Sequence, residues 1–184
     1  MLDIDALISG MSHDEKADML ALLDELESRK RVTLAQNDFL AFVAAVDPAY
    51  KFGTHLKRLG SLLIDIEQEV KDRIAVSMGP RFGKSQMISI YFPAWYIGRH
   101  PDHKLIIASH TADLAIDMLR KVRNLMQSPV YKGIFPGVAI AADAKAAGER
   151  KRTSVGSADA AGVGGALAGR GGHLSGVAEP GGGQ

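Results

Sequence analysis

Apolar residues recur at helical spacing through the first third of the chain. Residues 12 to 31, "SHDEKADMLALLDELESRKR", line up Met19, Leu20, Leu22, Leu23 and Leu26 as a stripe between charged positions, the pattern of an amphipathic helix. Ser12 followed by Glu15 forms a capping box, in which hydroxyl and carboxylate satisfy two orphan amides of the first turn. Arg29, Lys30 and Arg31 fall where the helix dipole favours cations. This segment reads as a docking helix or arm with solvated charges. A second helical stretch, "LAQNDFLAFVAAV", closes at Asp47-Pro48, and "GTHLKRLGSLLIDIEQEV" repeats the helical period through Leu56, Leu59, Leu62, Leu63 and Ile66.

The texture then changes. "DRIAVSM" is short and rich in apolar and β-branched residues, which predicts a buried strand. "KSQMISIYFPAWYIGRH" follows as a helix bent or ended near Pro93, "HKLIIASHT" as a second buried strand, and "ADLAIDMLRKVRNLMQ" as another helix. Strand, helix, strand, helix predicts an α/β fold with a parallel sheet covered by helices. From Gly156 onward lie eleven of the chain's 20 glycines. There "GVGGALAGRGGHL" has the make-up of a glycine loop and "EPGGGQ" that of an unstructured tail. The division expected is a helical arm over 1–35, a main domain over 36–174 and a Gly-rich tail over 175–184.

Composition narrows the class. The 184 residues suffice for one domain with a real core. Lys and Arg number 22 against 21 Asp and Glu, so no global field advertises a nucleic-acid partner, although a local basic patch is compatible with that balance. Cysteine is absent, which removes disulfides and thiolate metal sites. The start of the chain carries acids where a signal peptide needs bases, and no apolar run approaches the roughly 18 residues of a membrane span. The expectation is a soluble intracellular protein.

The chemistry concentrates in "VSMGPRFGKSQ", residues 76–86. A phosphate-binding loop of the form G-x-x-x-x-G-K-[ST] works because backbone N–H groups converge on an anion. Gly83 permits the turn into the helix, Lys84 can reach the β- and γ-phosphates, and the Ser85 hydroxyl can ligate Mg²⁺. The first glycine of the pattern falls on Met78, but Gly79 follows at once and Pro80 stiffens the loop. The segment expected to hold phosphate is therefore Gly79, Pro80, Arg81, Phe82, Gly83, Lys84, Ser85 and Gln86, with Ser85 on the metal.

Several blocks then point to one family. "FLAFVAAVDPAYKFGTHLKRL", "AVSMGPRFGKSQMISIYFPAWYIGRHPDHKLIIASHTADLA", "IFPGV" and "AAGVGGALAGRGGHL" resemble the N-terminal ATPase domain of tailed-phage terminase large subunits, from about Phe39 to His173. Such terminases carry an altered phosphate loop of the P-R-x-G-K-S kind. The resemblance implies a three-layer parallel-sheet P-loop ATPase domain, here partial, that uses ATP and Mg²⁺ to drive viral double-stranded DNA into procapsids. It implies catalytic roles for Lys84 and Arg81, the latter stabilising γ-phosphate charge. It also implies the portal protein, the small terminase subunit and further copies of the chain as partners, in the cytoplasm of a phage-carrying bacterium and without a membrane. Tyr50, Phe52 and His55 sit where such motors contact the adenine base, though core packing explains them as well. Ser109 and Thr111 match a helicase-like element or serve as helix caps.

The match has limits. In the family "GRGGHL" leads into an apolar strand ending in two acids, whereas here the chain reads "HLSGVAEP". Ala178 stands at the Mg²⁺-ligating acid, Glu179 takes the position that orients the attacking water, and Ser175 and Gly176 interrupt the apolar run. Two readings follow, a terminase-like ATPase and a non-catalytic remnant that binds nucleotide or a motor partner. Arg120, Lys121 and Arg123, then Arg150, Lys151 and Arg152, are the candidate contacts to duplex DNA.

Overall fold

The computed structural model describes residues 11–138 and, beyond them, the backbone of 150–152, 157–162 and 174–178. Helix α1 spans His13–Asn37. Its capping box forms as the sequence requires, with Ser12 N donating to Glu15 Oε2 (2.7 Å) and Glu15 N donating to Ser12 Oγ (3.3 Å). The helix runs past the basic triplet and ends where Asp38 turns extended and caps α2, Phe39–Val46, by accepting from Ala41 N at 2.6 Å. The stretch expected as one helix over 34–46 is thus two. A short side-chain acceptor at Asp38 offers the next helix a cap, and the chain takes it.

Helix α3, Thr54–Glu67, follows. A continuous helical run then covers residues 84–99, made of α4 (Lys84–Gln86), a π turn (Met87–Tyr91) and α5 (Phe92–Arg99). The expected bend at Pro93 is resolved upstream of the ring. Proline lacks the N–H for an ordinary helical bond and crowds the preceding turn. The turn before it widens, with Phe92 N bonded to Met87 O, so the helix continues past Pro93. After it come β1 (Lys104–Ser109), α6 (Ala112–Gln127) and α7 (Pro129–Ile134).

The core is an aromatic cluster among helices. Trp95, Phe39, Phe42, Val43, Met87 and Tyr131 are fully buried. Phe39 lies 5.5 Å from both Phe92 and Trp95, and Phe42 lies 6.0 Å from Tyr131, centroid to centroid. The polar tips inside this cluster are satisfied, as burial demands: Trp95 Nε1 donates to Ala35 O (3.1 Å) and Tyr131 OH to Ala94 O (2.9 Å). At its edge the nearly buried Glu67 carboxylate receives Arg99 Nε at 2.7 Å and His100 Nε2 at 2.8 Å. Arg99 also donates to Gln36 O at 2.8 Å and lies over the Trp95 ring. One side chain therefore ties together the ends of α1, α3 and α5.

The expected three-layer parallel-sheet P-loop fold is overturned. Residues 11–138 are mostly helical, 67%, and within them β1 is the single short strand, so that span contains no sheet. Residues 73–79, read from sequence as the buried strand before the loop, carry no regular secondary structure. They still alternate: Ile74, Val76 and Met78 lean on the core while Ala75 and Ser77 are exposed. Among the described residues this segment pairs with no strand. Outside that span, short backbone segments β2 (Arg150–Arg152), β3 (Ser157–Gly162) and β4 (Leu174–Ala178) align around β1 in the order β2-β3-β1-β4. β3 and β4 take the two edges of β1, leaving it no edge for residues 73–79 to join. Ser175 and Gly176 do not prevent β4 from pairing. Among the described residues no helix is long and apolar enough to cross a membrane.

Because Trp95 and Tyr131 carry the buried polar contacts, removing either should be costly in proportion to what is left unpaired. Trp95→Phe vacates volume and strands the Ala35 carbonyl, and should cost about 2–3 kcal/mol. Tyr131→Phe removes one hydroxyl bond and should cost about 1 kcal/mol. Urea unfolding followed by circular dichroism would measure both, and equal, negligible losses would contradict this account of the core.

Candidate functional site

The loop of interest enters the helical run at Lys84. Arg81 and Gly83 both adopt left-handed backbone, with φ of 65° and 79°. For glycine this conformation is free, while for arginine it is uncommon and costs energy. Gly83 is needed on a second count, since an added Cβ would lie 2.6 Å from the Tyr50 hydroxyl oxygen. Sterics and backbone together require glycine where the sequence pattern places it.

The side chains that follow are available. Arg81, Phe82, Ser85 and Gln86 are exposed and Lys84 is partly so. Among the described residues, the side chains of Arg81, Lys84 and Ser85 have no hydrogen-bond or ion-pair partner. Two cations and a hydroxyl thus stand free at the start of a helix, whose first N–H groups are themselves unsatisfied and carry partial positive charge. That arrangement can hold an anion. Gly79 and Pro80 are exposed at the loop's entrance.

Of Tyr50, Phe52 and His55, which the resemblance gives as adenine contacts and core packing explains as well, Tyr50 and His55 touch this loop. Tyr50 OH donates weakly to Gly83 O at 3.4 Å. Tyr50 meets Phe52 and Tyr91 edge-on, each at 5.3 Å, and His55 meets Phe82 edge-on at 5.5 Å. Tyr50 packs against the core cluster, so packing accounts for it.

A polar chain behind the loop was missed. Gln86 Nε2 donates to Tyr91 OH at 2.6 Å, and Tyr91 OH donates to Asp47 Oδ2 at 2.6 Å. Burial, then the Asp47 carboxylate, pushes the Tyr91 hydroxyl far above the ordinary tyrosine value. Burial and Asp47 also raise Tyr50. Both phenols stay protonated and serve as donors. The π turn brings Tyr91 back toward Gln86 five residues earlier, a spacing that an ordinary helical wheel does not put on one face. Asp47 read only as a helix terminator, so no signal in the sequence linked the three.

Other residues named from sequence lie elsewhere. Thr111 caps α6, accepting from Leu114 N at 3.3 Å, while Ser109 is fully buried at the end of β1. Arg120 and Lys121 both pair with Asp117, at 3.1 and 3.2 Å, which spends part of the expected basic patch. His103 bonds Tyr96 OH through Nδ1 at 2.9 Å. Among the described residues no group of three acids or histidines could hold a metal. Ala178 aligns with Ser109 across the β4–β1 pair. Glu179 lies outside the described residues, as does His173, and of Arg150, Lys151 and Arg152 only the backbone is described.

Comparison with protein-family models, curated proteins and solved structures gave no match to this chain.

The loop's geometry predicts a sharp response to one methyl group. Gly83→Ala combines a left-handed backbone with a contact on Tyr50, and should cost about 1–2 kcal/mol. Gly133→Ala, in α7 with open space around the site, is the control and should be neutral or stabilising by up to about 1 kcal/mol. Thermal melts of the two variants test this, and a Gly83→Ala protein as stable as the control would disprove the strain.

Proposed function

We propose that residues 79–86 bind the phosphates of ATP, and that the chain is a nucleotide-binding part of a DNA-packaging motor of the terminase large-subunit kind. One observation carries the first half: Lys84, Ser85 and Arg81 stand unengaged around the free N–H groups of a helix whose entrance is turned by a left-handed Gly83. The second half rests on the resemblance of the sequence blocks between Phe39 and His173.

The residues present fit a triphosphate better than they fit its metal. Lys84 supplies a compact charge for the β- and γ-phosphates, and Arg81 a planar fork suited to a γ-phosphate. Gln86, in the same segment, is held by Tyr91 and through it by Asp47. Bound Mg²⁺ would neutralise charge developing on the phosphates, and Ser85 is the described residue suited to hold it. Ala178 removes the carboxylate that the family's pattern puts on the metal. Residues 73–79 also lack the ladder that would fix the loop beside β4. Both features favour a binding module with slow or no hydrolysis, the remnant reading, over a fully active motor ATPase. Double-stranded DNA, the portal and the small terminase subunit remain partners of the complete motor in this proposal. With Arg120 and Lys121 committed to Asp117, the isolated chain should hold duplex DNA weakly, through few phosphate contacts.

Calorimetric titration with ATP and Mg²⁺ should show binding that Lys84→Ala weakens by roughly tenfold or more, a loss of about 1.4 kcal/mol. Equal binding by both proteins would remove the loop from the proposal. In the same preparation, phosphate release should stay close to background with or without duplex DNA. Brisk DNA-stimulated turnover would overturn the remnant reading and leave the binding site intact.

A further inference from the structure

Helix α1 carries an apolar face that the described residues leave open. Of its 25 residues only Ala35 is buried, so contact with the body is confined to its C-terminal end. The preceding stretch, residues 13–31, extends about 28 Å at 1.5 Å per residue. Along its apolar stripe Leu22, Leu23 and Leu26 are 60%, 49% and 45% exposed, and Met19 is partly exposed. Capping-box residues and α-forming side chains make this helix well specified, yet none of the described residues receives the face of Leu22, Leu23 and Leu26.

We propose that a second copy of the chain covers it, with the two arms crossing antiparallel about a two-fold axis between Leu22 and Leu23. The stripe is self-complementary under that operation. Leu22 of one arm meets Leu23 of the other, and Met19 meets Leu26. At 3.6 residues per turn these four positions fall within a sector of ~100°, and Glu15 and Lys30 fall in the same sector, at its two ends. The axis brings Glu15 of one copy to Lys30 of the other, twice. Arg29 is already paired with Glu25 at 2.6 Å on another face, whereas Lys30 has no ion-pair partner among the described residues. Glu15 keeps Oε1 free while Oε2 serves the cap. A parallel pairing would instead set Lys30 against Lys30 and Glu15 against Glu15, a like-charge arrangement at both ends. The contact is isologous, so it closes on itself as a dimer and does not propagate. The proposal stands apart from nucleotide binding.

Sedimentation of the full-length chain over a wide concentration range should show a reversible monomer–dimer equilibrium. Leu23→Asp should leave a monomer with unchanged helicity, and Lys30→Glu should weaken dimerisation by roughly tenfold or more. The chain contains no cysteine, so single cysteines report direction cleanly. Leu23→Cys should cross-link to itself under mild oxidation. Lys30→Cys should not, because the two copies of residue 30 would be ~22 Å apart along the axis, at 1.5 Å per residue. Four results would overturn the proposal. They are a monomer at every concentration, a dimer indifferent to Leu23→Asp, efficient self-cross-linking of Lys30→Cys, and a dimer that forms only after deletion of residues 1–10. The last would show that the chain's own start covers the stripe.

Discussion

Burial of Trp95 is the constraint on which the rest of the structure depends. Its ring fills the space between Phe39 and Phe92, its N–H holds the Ala35 carbonyl near the end of α1, and its face receives Arg99. Arg99 then reaches Glu67 at the end of α3. A single side chain on the helical run 84–99 thereby sets the position of three other helices. The same run begins at the candidate loop. Whatever fixes Trp95 fixes the direction in which the helix presents Lys84 and Ser85.

That anchorage explains how an ordered loop can exist without the sheet strand expected before it. In a sheet-based site the loop is held from upstream, by the ladder of the preceding strand. Here the hold is from downstream and from the side. The helix is fixed by Trp95, the Tyr50 hydroxyl sits against the Gly83 carbonyl, and the π turn ties Gln86 through Tyr91 to Asp47. Upstream, residues 73–79 have one face on the core and no backbone partner among the described residues. Among the described residues the helix side of the candidate site is braced and its upstream side is not. For the proposed ATP site this asymmetry would bear on turnover more than on binding, because catalysis of phosphoryl transfer is mainly positioning and electrostatics.

The helices were legible in sequence because their apolar period and caps are local. Ser12 with Glu15 and Thr111 act as caps in the structure, as their residue types allow. Asp38 was missed as a boundary because the apolar period runs through it, although its side chain is a good cap. β1 was legible as a short apolar run. Residues 73–79 were not, because "DRIAVSM" has the composition of a strand and a strand is defined by its partner. Composition is local, whereas the occupation of both edges of β1 by β3 and β4 is not. The left-handed turn into the helix was readable from Gly83. The Asp47–Tyr91–Gln86 chain was not, since it depends on a π turn that alters which positions share a face.

The π turn itself follows from Pro93. An α-helical turn through residues 87–93 would drive the proline ring against a carbonyl one turn earlier. Widening that turn by one residue relieves the crowding and leaves the helix unbroken, so Trp95 still reaches the core. It also shifts the register of everything before Pro93 relative to everything after it. Tyr91 is thereby brought beneath Gln86, with its hydroxyl turned to Asp47. An imino acid chosen by sequence thus does two things at once. It permits the helix to span from core to loop, and it creates the polar chain that braces the loop's last residue. Replacing Pro93 by alanine would remove the reason for the wide turn. The core positions after residue 93 would be left in place, and the bracing of Gln86 would be lost.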